Sequence, residues 1–197
     1  MEVNPLLEKA IVEHCAPTLA GLKTGNIFSL KSCGKDLTPE IRAMNTILVK
    51  KGLRLIPLRR TQESILIYLY RPDDLCSDLE FPDAESILVE KGYPCGKPGF
   101  CIVELIRRLV SESAFPHEIG LFLGYPPSDV RQFINSPWDG VKCVGCWKAY
   151  GNEAEAARTF DRFRKCTASY RRAVRKGVPL ESLIVDTRNG GRMEAPL

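Results

Sequence analysis

The sequence predicts an α+β fold, a small, largely antiparallel sheet of about four strands covered by helices. Three observations predict it. Short runs rich in β-branched and aromatic residues lie at 26–30, 53–58, 64–70 and 143–150. Helical spacing fills most of the chain around and between them. Gly, Pro and Asn mark the boundaries. The chain has 197 residues, 44% apolar and 26% charged, enough for one domain with a real core. No linker divides it, so residues 1–197 read as a single globular domain with a frayed tail from about 186.

Leu6, Leu7, Ala10, Ile11 and His14 give a first helix over 4–14, closed by Pro17 and Gly21. Asn26–Leu30 is a short strand. Thr38 caps a second helix with Pro39 at its first position; Ile41, Met44 and Leu48 line its inner face and Gly52 ends it. Residues 53–58 and 64–70 form a β-hairpin around the polar 59–63. Pro57 cannot donate to a ladder, so its strand is an edge or carries a bulge. The second strand is apolar on both faces, which suits a central, covered place.

Short acidic helices follow over 72–91, then a deeply packed helix from Gly99 to Val110. Residues 117–123 and 127–135 form a helix-turn-helix-like αα-hairpin: Gly120 allows close approach and Gly124 makes the turn. Cys143–Tyr150 is a last strand. Asn152 to Lys176 is a long amphipathic helix, with a capping box at Asn152 and Glu155 and a stop at Gly177 and Pro179.

Net charge is +4 and is uneven along the chain. Residues 1–150 sum to zero, and 151–197 carry 10 basic and 6 acidic side chains, so the basic character falls mainly on the last helix. The first residues lack a basic n-region and an unbroken apolar stretch, and no run is long enough to span a membrane, so the chain reads as cytoplasmic. Eight cysteines in a reducing compartment are free thiols by default. Cys143 and Cys146 have CxxC spacing, but no second ligand pair accompanies them, so no metal site is expected.

Two functional readings arise, and the favoured one is a small cytoplasmic enzyme or ligand-binding protein with a pocket lined by Cys, His and Lys. Cys15, at an element boundary, is the thiol best placed to be exposed and reactive. His117, at a helix start, would stay neutral under the helix dipole and could serve as a base, with Glu118 or Asp129 orienting it. Lys23 and Lys148 lie near strand ends and could complete a pocket. The alternative, ranked second, is a regulatory or nucleic-acid-binding module. It would use Arg131 of the 117–135 pair and the stripe Arg158, Arg162, Lys165, Arg172 and Lys176 on the last helix. The helix pair offers few cationic donors, which is why this reading comes second.

The strings HCAPTLAGLK at 14–23, FPHEIGLFLGYPP at 115–127 and CVGCWKAYG at 143–151 resemble those of a bacterial domain-of-unknown-function family of about 200 residues, the length of this chain. The resemblance implies an intact cytoplasmic domain. It carries no activity, cofactor or partner. It places Cys15, Lys23, His117, Glu118, Trp147 and Lys148 inside the signature strings, so Trp147 joins Lys23 and Lys148 as a candidate ligand contact.

Overall fold

In chain order the elements are α1 (Pro5–Leu19), β1 (Gly25–Lys31), α2 (Thr38–Leu48), β2 (Arg54–Arg60), β3 (Ser64–Tyr70), α3 (Pro72–Leu79), α4 (Pro82–Glu90), α5 (Pro98–Ser111), α6 (Ile119–Phe122), α7 (Pro127–Asn135), β4 (Cys143–Val144), β5 (Lys148–Ala149), α8 (Glu153–Arg175) and α9 (Leu180–Leu183). The computed structural model describes residues 4–32, 34–111 and 114–187. Cys33 and the tail from 188 lie outside them. The chain divides into two compact units, residues 1–73 with 163–197, and residues 74–162.

The first unit holds the main sheet, antiparallel throughout, in the order β1-β3-β2. The doubly apolar β3 is central, as its composition requires. Pro57 lies on the edge strand β2, and the register slips between Pro57 and Arg59, where the missing N–H removes a ladder bond. Ile65, Ile67 and Leu69 point from β3 into a core shared with Leu7 and Ile11 of α1, Met44 and Leu48 of α2, and Leu180 and Ile184 near α9. On the other sheet face Tyr68 and Tyr70 stack with ring centroids 4.6 Å apart, and both are buried.

Two local expectations need correction here. The first helix does not stop before Pro17. Asn4 caps it by accepting from the Leu6 N–H at 2.9 Å, and it runs to Leu19 with Pro17 in its last turn. There the proline removes one donor, and the Leu22 N–H still reaches the Pro17 carbonyl at 2.9 Å. The second helix is not capped by Thr38. The Asp36 carboxylate receives the Thr38 N–H at 3.0 Å and its hydroxyl at 2.6 Å. That hydroxyl bond, with Arg60 at 2.6 Å, holds the Asp36 carboxyl at about 2. Gly52, at φ +76°, closes α2 after a 3-10 turn. Thr187 is half-buried and tied down, and the tail from 188, where fraying is expected, lies outside the described residues.

The tie is Arg71, which is 1% exposed. Its Nε donates to the Thr18 carbonyl at 2.8 Å, and Nη2 donates to the carbonyls of Leu19 at 2.9 Å and Val185 at 2.7 Å. Nη1 reaches Thr187 Oγ1 at 2.9 Å. α1 has no basic residue in its last turn, so Arg71 supplies the cation that its carbonyl end lacks. The C-terminal part of α8 packs on α1 through Cys166 and Tyr170 against Ala16 and Ala20, with Arg171 ion-paired to Glu13.

In the second unit, α3, α4 and α5 bury Leu75, Leu79, Ile87, Leu88, Leu105 and Leu109. α5 is less enclosed than its composition suggests: Phe100, Val103 and Val110 are exposed along one side. The αα-hairpin forms. A Cβ on Gly120 would meet Val130 at 2.8 Å, and Gly124 takes φ +72°. The last strand is instead a short ribbon, β4 with β5, turned at 145–147. Gly145 allows this turn. A Cβ there would sit 2.3 Å from the Phe160 ring.

Candidate functional site

Cys15 lies inside α1 and not at an element boundary, because the helix continues past it. It is buried. Burial pushes its thiol far above the ordinary range, and the pull of the Lys23 ammonium in the other direction is the smaller effect. Lys23 is also buried. The first unit therefore brings Cys15 and Lys23 together, in a core where the thiol stays protonated. That overturns the expectation that Cys15 is the exposed, reactive cysteine.

His117, Glu118, Trp147 and Lys148 belong to the second unit. His117 is exposed, with its ring edge-on to Phe133 at 5.0 Å. It precedes a helix of four residues, Ile119–Phe122. Lys148 shares that aromatic neighbour. Its Nζ lies 5.5 Å from the Phe133 centroid and 3.3 Å from that of Trp138, and it donates to the Pro137 carbonyl at 2.9 Å. His117, Phe133, Lys148 and Trp138 thus form one cationic and aromatic cluster.

Glu118 and Trp147 turn inward. Glu118 Oε1 accepts from the Tyr93 hydroxyl at 2.9 Å and faces Arg108 Nη1 at 3.6 Å, while the Arg108 guanidinium stacks over Tyr93 at 4.4 Å. Burial, and then the Glu118 charge, drives the Tyr93 phenol well up, so it stays a donor. Trp147 donates Nε1–H to Asp129 Oδ2 at 2.9 Å, stacks on Tyr125 at 4.9 Å and meets Phe160 edge-on at 4.5 Å. Asp129 Oδ1 accepts from the N–H groups of Tyr150 at 3.0 Å and Gly151 at 3.1 Å. Asp129 therefore fastens α7 to the segment after β5.

Arg131 is committed to Glu90. Its Nη1 lies 3.0 and 2.8 Å from the two carboxylate oxygens, and Nη2 reaches Ser86 at 3.1 Å. The hairpin therefore has no cation to spare for a phosphate backbone. The last helix does. From 158 to 176 it carries Arg158, Arg162, Arg164, Lys165, Arg171, Arg172, Arg175 and Lys176, all exposed, against the single acid Asp161. Among the described residues Arg158, Arg162, Arg172, Arg175 and Lys176 make no ion pair. The apolar side of α8, with Ala156, Phe163 and Cys166, is buried.

Charge also sorts by unit. The first unit has 19 basic and 10 acidic side chains, a net +9; the second has 9 and 14, a net −5. The count along the sequence conceals this, because the first unit is assembled from both ends of the chain. Sequence reasoning also missed Arg71, Trp138 and Tyr93 as organising residues. Only Trp138 had a readable signal, an aromatic in the turn-forming string Ser136-Pro137-Trp138-Asp139-Gly140. Among the described residues no three His, Cys, Asp or Glu side chains gather to hold a metal ion, and no helix is long and apolar enough to cross a membrane.

These features define a small α+β protein whose sheet-bearing unit is strongly cationic. Residues 11–184 match the family model described as "Protein of unknown function (DUF3793)", and the chain belongs to that family. No curated protein and no solved structure matches the chain.

Proposed function

We propose that the protein binds nucleic acid by its phosphate backbone, through the cationic face of α8, without reading base sequence. One observation carries this reading: six exposed Lys and Arg side chains over 164–176 in the first unit, with no acid among them. Four of the six are Arg, whose planar fork suits phosphate oxygens. A helix lying on a lipid surface would need a free apolar face, and on α8 Ala156, Phe163 and Cys166 are buried while Val174 alone of its large apolar side chains is exposed, which favours nucleic acid over membrane. The burial of Cys15 removes support from a thiol-based enzyme. The seven described cysteines are free, which fits a reducing compartment, and together with the family resemblance this supports a bacterial cytosol.

The test is fluorescence anisotropy with labelled duplex DNA, duplex RNA and single strands of unrelated sequence. Expected is Kd on the order of micromolar at about 50 mM salt, with log K falling linearly in log salt. Replacing Arg172, Arg175 and Lys176 together by Gln should weaken binding and reduce the salt slope by about 2 to 3. No binding at low salt, or binding that ignores the triple substitution, overturns the reading. Retention on acidic protein alone would overturn it equally.

A further inference from the structure

Cys95 and Cys101 border the same cavity in the second unit, of about 110 Å³, with Leu79, Glu80, Glu85, Leu88 and Lys97. Their sulfurs hang from consecutive carbonyls: Cys95 Sγ donates to the Tyr93 oxygen at 3.5 Å and Cys101 Sγ to the Pro94 oxygen at 3.4 Å. Between them the chain turns through Gly96, at φ +91°, and Pro98 starts α5, so Cys101 sits in the first turn of a helix. Both line the cavity, Cys95 half-buried and Cys101 buried. Such an arrangement orders the two thiols, one to be attacked first and one to resolve.

We propose that Cys95 and Cys101 form a reversible intramolecular disulfide by exchange with a small-molecule disulfide whose sulfur reaches Cys95. The Cys95 thiolate attacks one sulfur of the reagent, forming a mixed disulfide and releasing one thiolate. Cys101, deprotonated, then attacks Cys95 Sγ and expels the second. The two cysteines are oxidised by two electrons, the reagent is reduced to two thiols, and the two cysteine protons end on those thiols. The closed bond pins the 94–97 loop to α5 across the cavity.

Both thiols lie above the ordinary range, Cys101 at about 11, chiefly through burial. The carboxylates of Glu80 and Glu85 and the Lys97 ammonium line the same cavity, and Glu85 adds to the rise at Cys95. Exchange should therefore be slow near neutrality and quicken as pH rises.

The experiment treats the folded full-length chain with oxidised glutathione at about pH 8.5, where an ordinary cysteine is half ionised. Products are mapped by tandem mass spectrometry on the peptide carrying both residues. Expected is loss of two hydrogens within that peptide, without retained glutathione, and full reversal by a dithiol reductant. Cys101→Ser should trap glutathione on Cys95, whereas Cys95→Ser should leave Cys101 reduced. A persistent glutathione adduct on Cys95 in the unaltered chain overturns the proposal. So does oxidation of Cys143 and Cys146 while Cys95 and Cys101 remain reduced.

Discussion

Arg71 shows how a single side chain can fasten the segment 185–187 to the end of α1. A buried guanidinium is tolerated when its donors are met, and here three carbonyls and one hydroxyl meet them. Two of those carbonyls end α1, where the helix dipole favours a cation. Arg71→Met removes the donors and leaves buried acceptors behind, so it should cost about 3 kcal/mol. Arg71→Lys keeps the charge without the fork and should lose about half of that. Urea unfolding reads both, and a shift in midpoint at constant slope is the expected form. A loss under about 1 kcal/mol for Arg71→Met would show that the carbonyls find other donors. None of this was legible in Tyr70-Arg71-Pro72, because an arginine at a strand end is ordinarily solvated.

At the scale of elements, the sequence was readable wherever local chemistry decided the outcome. Pro57 marked an edge strand or a bulge and its strand has both, Gly52 ended α2, and Asn152 capped α8 with Oδ1 accepting from the Glu155 N–H at 3.2 Å. It was not readable where packing decided. Pro17 is a helix breaker in isolation, yet Ala16 and Leu19 on either side of it are buried in the core, and that burial outweighs one lost bond. The run Cys143–Tyr150 alternates like a strand, yet Phe160 occupies the space over Gly145 and the chain turns beneath it. Gly145→Ala puts a methyl group 2.3 to 2.6 Å from three atoms of that ring. Phe160 must move, and it packs edge-on to Trp147. The substitution should cost about 1–3 kcal/mol and change the near-ultraviolet circular dichroism of the Tyr125, Trp147 and Phe160 cluster. An unchanged spectrum would mean that the ribbon, not the ring, gives way.

The whole molecule separates charge in a way that no linear window of the sequence displays, with +9 on one unit and −5 on the other. The candidate cations of α8 were legible as a stripe at helical spacing; their setting was not, since it depends on both ends of the chain folding into one unit. If those cations served the fold, removing them would unfold it. Arg172 and Lys176 stand four apart and repel, as do Arg171 and Arg175, each pair costing about 0.2–0.5 kcal/mol. Against this, cations in the last turn gain about 0.3–1 kcal/mol from the helix dipole. The two effects nearly cancel. The Arg172, Arg175 and Lys176 triple Gln variant should therefore change unfolding free energy by less than about 1 kcal/mol, while its affinity for duplex DNA falls at least tenfold. Raising salt should divide the same two readouts, leaving stability unharmed by screening self-repulsion while dissociating the complex. A triple variant that unfolds in parallel with its loss of binding would assign the stripe to the fold instead.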